Sequence, residues 1–201
     1  MSELARWETR YAAPEYVFGT APNEFLRAQA HLLPAHGKAL AVADGEGRNG
    51  VWLAEQGLEV LSVDFSPKAL AKAQALAKSR GVSLQLQRVD LITWRWPTEA
   101  FDVVAAIFIQ FATPDQRKRI FAGIRRALKP GGLLLLQGYR PEQLAYKTGG
   151  PSQIENLYTR ATLTEAFAGF AELEVSEHDS MTQEGAGHAG MAALIDLVGR
   201  K

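Results

Sequence analysis

Between residues 37 and 139, short apolar runs alternate with runs of helical spacing, and this alternation constrains the fold more than any other feature. GKALAVA reads as a buried strand ending at a glycine loop, and RNGVWLAEQG as a helix stopped by Gly57. LEVLSVD is a second strand. Ser66 and Pro67 then supply an N-cap and a first-turn proline to a helix with Leu70, Ala73 and Ala77 at helical spacing. VSLQLQRVD alternates as a third strand. FDVVAAIF is a fourth, apolar enough for burial on both faces. Thr113-Pro114-Asp115-Gln116 forms a capping box ahead of the stripe Ile120, Phe121, Ile124 and Leu128. Lys129-Pro130-Gly131-Gly132 stops that helix, and GLLLLQGY is a fifth strand. Strands alternating with helices predict an α/β fold with a mostly parallel, doubly wound sheet.

The two ends differ from this middle. The N-terminal segment is aromatic (Trp7, Tyr11, Tyr16, Phe18, Phe25) and broken by Pro14, Gly19 and Pro22; PNEFLRAQAHLL looks like one helix. Near the other end a short helix around LTEAFAGF precedes two runs, AELEVSEHDSM and MAALIDLVG. The glycine-rich EGAGHAG joins them, which predicts an antiparallel hairpin. No repeat or linker interrupts the chain. Residues 1–201 read as one domain: a lid segment over 1–35, a cofactor-binding core over 36–140, and an acceptor-side loop with the hairpin over 141–201.

Composition narrows the function. Lys+Arg and Asp+Glu are equal at 22 each, with no basic stripe, so nucleic acid is not an expected partner. The absence of cysteine excludes disulfides, thiolate–metal sites and a cysteine nucleophile; no metal site is expected. The longest apolar run, VVAAIFIQFA, is too short to span a bilayer, and MSELARWETR lacks the apolar stretch of a signal peptide. A cytoplasmic location, with no membrane partner, is the expectation.

The glycine loop poses the functional question. Gly45-Glu46-Gly47-Arg48-Asn49-Gly50 is a literal G-x-G-x-x-G, which also marks dinucleotide sites. In such sheets ligands bind beyond the carboxyl ends of the strands. A dinucleotide would bring a doubly charged pyrophosphate to a turn holding Asp44 and Glu46, a repulsion on the order of 1 kcal/mol per close pair even in water. S-adenosylmethionine brings a sulfonium and an ammonium group, which acidic residues suit. Asp64, 64 − 45 = 19 residues past Gly45, ends the second strand where a carboxylate accepts ribose hydroxyls in either class. Asp90 ends the third strand, placed to accept from an adenine amino group.

DGEGRN, VDFSP, VDL, FDVVAAIF and LKPGG, in this order over roughly residues 38–140, make the chain resemble class I S-adenosylmethionine-dependent methyltransferases, a Rossmann-like fold of seven strands with an antiparallel C-terminal hairpin. GEGRN, RWETRY, FGTAPNEFL and GYRPEQLAYKTGGP further resemble small bacterial methyltransferases related to the tellurite-resistance type. The resemblance implies S-adenosylmethionine as cofactor, S-adenosylhomocysteine as product, and cofactor contacts from Trp7, Arg10, Tyr11, Asp44, Gly45, Glu46, Gly47, Asn49, Asp64, Phe65, Ser66, Asp90, Leu91, Ile107 and Phe108. One departure stands out. Where the family has an acid and then a first glycine, this chain has Ala41 and Ala43, so Asp44 is expected to take the acidic role toward the methionine ammonium.

Methyl transfer from a sulfonium draws much of its rate from alignment, and needs a base only where the acceptor loses a proton. The fourth-strand end, IFIQF, lacks the Asn/Asp-Pro-Pro-aromatic pattern of base-modifying amino methyltransferases, so a small acceptor is expected: a thiol, a metalloid oxyanion or a small metabolite. Gln110 is a candidate to orient it, against a plain pocket-lining role. His188, in EGAGHAG, is a candidate base, against a solvent-facing loop residue. Tyr139, Arg140 and Gln143 follow the fifth strand on the ligand side. Arg117 sits in a helix's first turn, as an anion ligand or a solvated residue; Trp94 and Trp96 pack a loop beside the adenine. His31, His36 and His178 read as surface residues. Trp7, Arg10, Tyr11 and Tyr16 are expected to form a lid, whose aromatic faces attract a cation, against simply capping the sheet edge. Two other classes remain: an NAD-dependent oxidoreductase, and a non-catalytic cofactor-binding module.

Overall fold

The apolar runs pair into one seven-stranded sheet of order β3-β2-β1-β4-β5-β7-β6. The structure, a computed structural model, describes residues 2–185 and 187–201. In chain order the elements are α1 (Glu3–Arg10), α2 (Glu24–Ala28), β1 (Lys38–Val42), α3 (Arg48–Glu55), β2 (Glu59–Asp64), α4 (Pro67–Ser79), β3 (Gln85–Arg88), β4 (Phe101–Ile107), α5 (Pro114–Ala127), β5 (Leu128–Tyr139), α6 (Gln143–Tyr146), α7 (Arg160–Ala166), β6 (Glu172–Glu184) and β7 (His188–Arg200). β1 to β5 are mutually parallel; β7 runs antiparallel to both β5 and β6. The expected mixed sheet with its terminal hairpin is what the chain forms.

Burial explains the strands. Leu134 and Leu136 face a core shared with Ile120, Phe121 and Ile124 of α5. Leu133 and Leu135 face the opposite core with Phe25 and Leu26 of α2 and Trp52 and Leu53 of α3. An unbroken LLLL run is what a strand covered on both sides requires. The helix starts follow local chemistry. The Ser66 hydroxyl accepts from the Ala69 N–H at 3.1 Å, and the Gln116 side chain accepts the Thr113 N–H at 3.0 Å.

Three expectations are corrected. PNEFLRAQAHLL is not one helix: α2 has five residues and a 3₁₀ turn follows over Ala30–Leu32. Only Phe25 and Leu26 of α2 are buried, so no apolar stripe sustains a longer helix. VSLQLQRVD yields just Gln85–Arg88, an edge strand paired only with β2. Conversely, the hairpin strands are longer than expected, 13 residues each. They pair up to Glu184↔His188, so His188 opens β7 instead of lying in the loop.

The hairpin tip owes its glycines to a close approach. A Cβ on Gly185 would lie 2.5 Å from the Gly19 nitrogen and 2.6 Å from the Val17 carbonyl oxygen. The Gly187 N–H donates to that same carbonyl at 3.0 Å. The tip is thus docked on the N-terminal segment, above the carboxyl ends of β1, β4 and β5.

Candidate functional site

Strand order reverses between β1 and β4, and the loops leaving them define the ligand crevice. From β1 the chain enters Ala43–Gly47, with Ala43, Gly45 and Gly47 all at positive φ (48°, 58° and 88°). Gly47 precedes α3, and a Cβ there would lie 2.6 Å from that of Ala73 on α4.

The loop carboxylates are engaged by the protein itself. Asp44 is buried and accepts from the Ser62 hydroxyl at 2.8 Å and from the Gly50 N–H at 3.1 and 3.2 Å. Burial pushes its pKa up to about 7, against those hydrogen bonds. Glu46 is buried too. One oxygen meets Lys72 Nζ at 2.5 Å and the other accepts the Val17 N–H at 2.7 Å. Asp44 is therefore held inward, under the loop, and Glu46 is neutralised. Neither acts on a ligand by free charge, and simple repulsion of a pyrophosphate no longer discriminates between cofactors.

The cations supply a different discrimination. Arg48, the first residue of α3, pairs with Glu184 at 2.6 Å, both side chains 8% exposed, and Lys72 is taken by Glu46. Neither is free for a phosphate. What remains around the loop is Asp64, aromatic surface, and Arg10 lying over the Trp7 and Phe18 rings. Asp64 is buried; its oxygens accept the Gly45 N–H at 3.0 Å and the Ser66 N–H at 2.9 Å, and burial raises its pKa. The Tyr11 hydroxyl sits against Gly45, 2.9 Å from where a Cβ would be. Burial and then the Asp64 charge push the Tyr11 hydroxyl far up, so it stays neutral. Trp7 stacks on Tyr11 at 5.4 Å. A carboxylate and neutral rings fit a cationic, phosphate-free adenosyl group.

The other expected cofactor residues divide. Phe65 and Ser66 follow β2; the Ser66 hydroxyl also bonds the Glu8 carboxylate, fastening α1 to α4. Ile107, the last residue of β4, belongs to the core with Phe25 and Trp52, and Phe108, next after it at φ 55°, packs on Tyr139 and His188. Asn49 faces Asn23, accepting its N–H at 2.9 Å. Asp90 is exposed and accepts the Ile92 N–H at 2.9 Å in a local turn; Leu91 belongs to the core. Arg10 lies over Trp7 and Phe18 at 5.2 and 4.9 Å.

Of the acceptor-side candidates, His188 and Tyr139 come together and Gln110 does not join them. Gln110 donates to the Tyr139 and Asn156 carbonyls at 2.9 and 3.2 Å and accepts the Tyr139 N–H at 2.6 Å. Its amide fastens the ends of β4 and β5 and is not free to orient an acceptor. His188 is packed between Phe18 (4.5 Å) and Phe108 (4.4 Å), with Tyr139 edge-on at 5.8 Å. Far from facing solvent, it is nearly enclosed.

Other readings change likewise. Arg117 donates to the Glu155 carbonyl at 2.7 Å and covers Tyr158. Gln143 is buried and accepts the Ala193 N–H at 2.8 Å, and Arg140 pairs with Asp179. Trp96 is wedged into the core against Gly123, its Nε1 donating to the Leu91 carbonyl at 3.2 Å. His178 is half-buried, bonded to Asp196 at 2.9 Å.

Sequence reasoning missed a buried polar chain. Glu184 accepts from Arg48 and, at 2.9 Å, from Asn23. Asn23 donates to Gln137 at 2.7 Å, and Gln137 to Asp196 at 2.7 Å. This chain joins α3, the start of α2, and the hairpin. The one local signal was an acid four residues before His188.

Residues 39–132 match the model of the methyltransferase domain family. A demethylmenaquinone methyltransferase of Thermus thermophilus is 31% identical over 106 residues, 52% of this chain and 48% of that one. The chain spans about half the length of the curated relatives it matches. Among solved structures, one described with the conversion of a disulfide bond into a thioacetal group during echinomycin biosynthesis superposes with a TM-score of 0.75, at 19% identity, over 99% of this chain and 92% of that one. TehB from Haemophilus influenzae gives a TM-score of 0.70 at 15% identity, over 98% and 66%. These likenesses show the fold. Over residues 39–132 the domain match and the methyltransferase-named relatives agree on a likeness to a methyltransferase domain. Among the described residues, no helix is long and apolar enough to cross a membrane.

Proposed function

We propose that this chain transfers the methyl group of S-adenosylmethionine to a small-molecule acceptor, in the cytoplasm and without nucleic acid or membrane as partner. The cofactor supplies an electrophilic methyl on a sulfonium; the chain supplies binding and alignment. Gly45, Gly47 and Asp64 would hold the adenosyl moiety, beneath Tyr11 and Trp7.

One observation carries the acceptor class. The lid and the hairpin tip meet above the strand ends, and the meeting place is walled by Phe18, Phe108 and Tyr139 around His188. Such an enclosed aromatic setting favours a small acceptor over a polymer. A thiol, a metalloid oxyanion and a small metabolite are the acceptors in question; the likeness of GEGRN and the aromatic N-terminus to tellurite-resistance methyltransferases puts the oxyanion among them.

Calorimetry with S-adenosylhomocysteine and, separately, NADH tests the cofactor. Micromolar binding of the first and none of the second is expected; tight NADH binding would refute the reading. Methyl transfer to a panel of small thiols, amines, selenite and tellurite then tests turnover, and binding without any turnover would favour a non-catalytic module.

A further inference from the structure

We propose that Glu184 and His188 form a carboxylate–imidazole dyad in which Nε2 of His188 takes the proton of the methyl acceptor, so that the acceptor is a protic nucleophile such as a thiol or amine and not a fully deprotonated oxyanion. The proposal rests on the methyltransferase reading above.

Three observations meet at this point. First, His188 Nδ1 is buried, has no hydrogen-bond partner, and faces the Glu184 carboxylate at 3.8 Å. That is beyond hydrogen-bond range, and a shortening of about 1 Å closes it. With Nδ1–H turned to a carboxylate, Nε2 carries the lone pair. Second, Glu184 is fixed as an anion. Arg48 Nη2 donates to one oxygen at 2.6 Å, and Asn23 Nδ2 and the Glu24 N–H donate to the other at 2.9 and 3.1 Å. Burial alone would raise its carboxyl, but His188 and Arg48 hold it at about 2. Third, the ring stands where an acceptor must come, among Phe18 of the lid, Phe108 at the end of β4 and Tyr139 at the end of β5.

The charged and titratable groups facing His188 are Glu184 on β6, Arg48 on α3, Arg10 on α1 and Tyr139 on β5. Burial, with Arg48 and Arg10, lowers the imidazole below its usual value, and Glu184 opposes them. The ring is thus neutral near pH 7, as a base must be.

The step balances. Nε2 takes the proton of the acceptor's X–H bond as X bonds to the methyl carbon and the carbon–sulfur bond breaks. The cofactor leaves as a neutral thioether, and the positive charge passes from sulfur to the imidazole, beside the Glu184 carboxylate. His188 is the catalytic residue; Glu184 and Arg48 are positioning residues. A fully deprotonated oxyanion attacking through a lone pair has no proton to give up, so it gains nothing from this dyad.

The test has two arms. Nitrogen-15 NMR of the ligand-free protein reads the His188 tautomer directly: Nδ1–H with a bare Nε2 is expected, lost or weakened in Glu184→Gln. An Nε2–H tautomer overturns the dyad whatever the activity. In the second arm, His188→Gln is expected to lower turnover with small thiols roughly 100-fold, with S-adenosylhomocysteine affinity unchanged within about threefold. Glu184→Gln is expected to move the acid limb of the pH–rate profile to lower pH, and Glu184→Asp to restore part of the rate. Thiol turnover unaffected by His188→Gln overturns the dyad and leaves the methyltransferase reading standing; a wild type that binds S-adenosylhomocysteine but methylates nothing counts against that reading, with the tautomer still deciding the dyad.

Discussion

Lys72→Met should release the N-terminal lid while leaving the sheet intact. Lys72 Nζ donates to two lid carbonyls, Ala13 at 2.8 Å and Glu15 at 2.6 Å, and to Glu46, whose other oxygen holds the Val17 N–H. Methionine keeps the stem that packs under Tyr16, 5.0 Å from Nζ, and removes every one of those hydrogen bonds. Hydrogen bonds to charged groups contribute about 1.5–3 kcal/mol each. Taking the lower figure for the two lid carbonyls, because the Lys72 side chain is 16% exposed, the closed lid loses about 3 kcal/mol. In local opening that is a roughly 100-fold faster exchange. Hydrogen exchange measures it at the Val17 amide, with Leu134 in the sheet as the internal control. Val17 should exchange about two orders of magnitude faster and Leu134 should not change. Unchanged protection at Val17 would mean that Lys72 does not clasp the lid. Equal acceleration at Leu134 would mean that the pair supports the whole fold instead.

Three further outcomes are expected. Gly47→Ala forces a Cβ residue to φ 88° and 2.6 Å from Ala73 Cβ, so the urea midpoint should fall by the equivalent of about 3 kcal/mol; a loss under about 1 kcal/mol would contradict the packing. Gly123→Ala drives a methyl to within 2.3 Å of the Trp96 indole, and thermal melting should show about 1–3 kcal/mol of destabilisation with altered tryptophan fluorescence. The Asp44 carboxyl, raised to about 7 in the folded chain from 3.8, binds its proton more tightly folded than unfolded. Its contribution is present in full below about pH 4 and is lost as pH rises through about 7. Asp44→Asn should therefore flatten the fall in stability between pH 4 and 7; urea titrations giving parallel slopes for both proteins would refute this.

β4 and β5 were legible because each had to be covered on both faces, and that demand is written locally in FDVVAAI and LLLL. Ser66-Pro67 announced α4 because a cap acts over three residues. The site's polar partners were not legible, since nothing in the spacing ties Glu46 to Lys72 or Arg48 to Glu184. Reading Glu46 as a free charge followed from that, and so did treating Gln110 as available. His188 was misplaced for a different reason. Dense glycine in EGAGHAG usually marks a loop, whereas here Gly185 and Gly187 are small because Val17, Phe18 and Gly19 press against them. Composition reports that a side chain is missing, not whether flexibility or a neighbour requires it.

The bridge from Asn23 to Glu184 closes a separation of 161 residues, and that from Arg48 to Glu184 one of 136. Loop closure over such spans becomes favourable only after the intervening strands have condensed. The crevice is accordingly a late product of folding: β1 to β5 can assemble while the acceptor side is still an open edge. In refolding, recovery of ligand affinity should trail recovery of the sheet, and damage to either end of the chain should abolish chemistry before it abolishes structure.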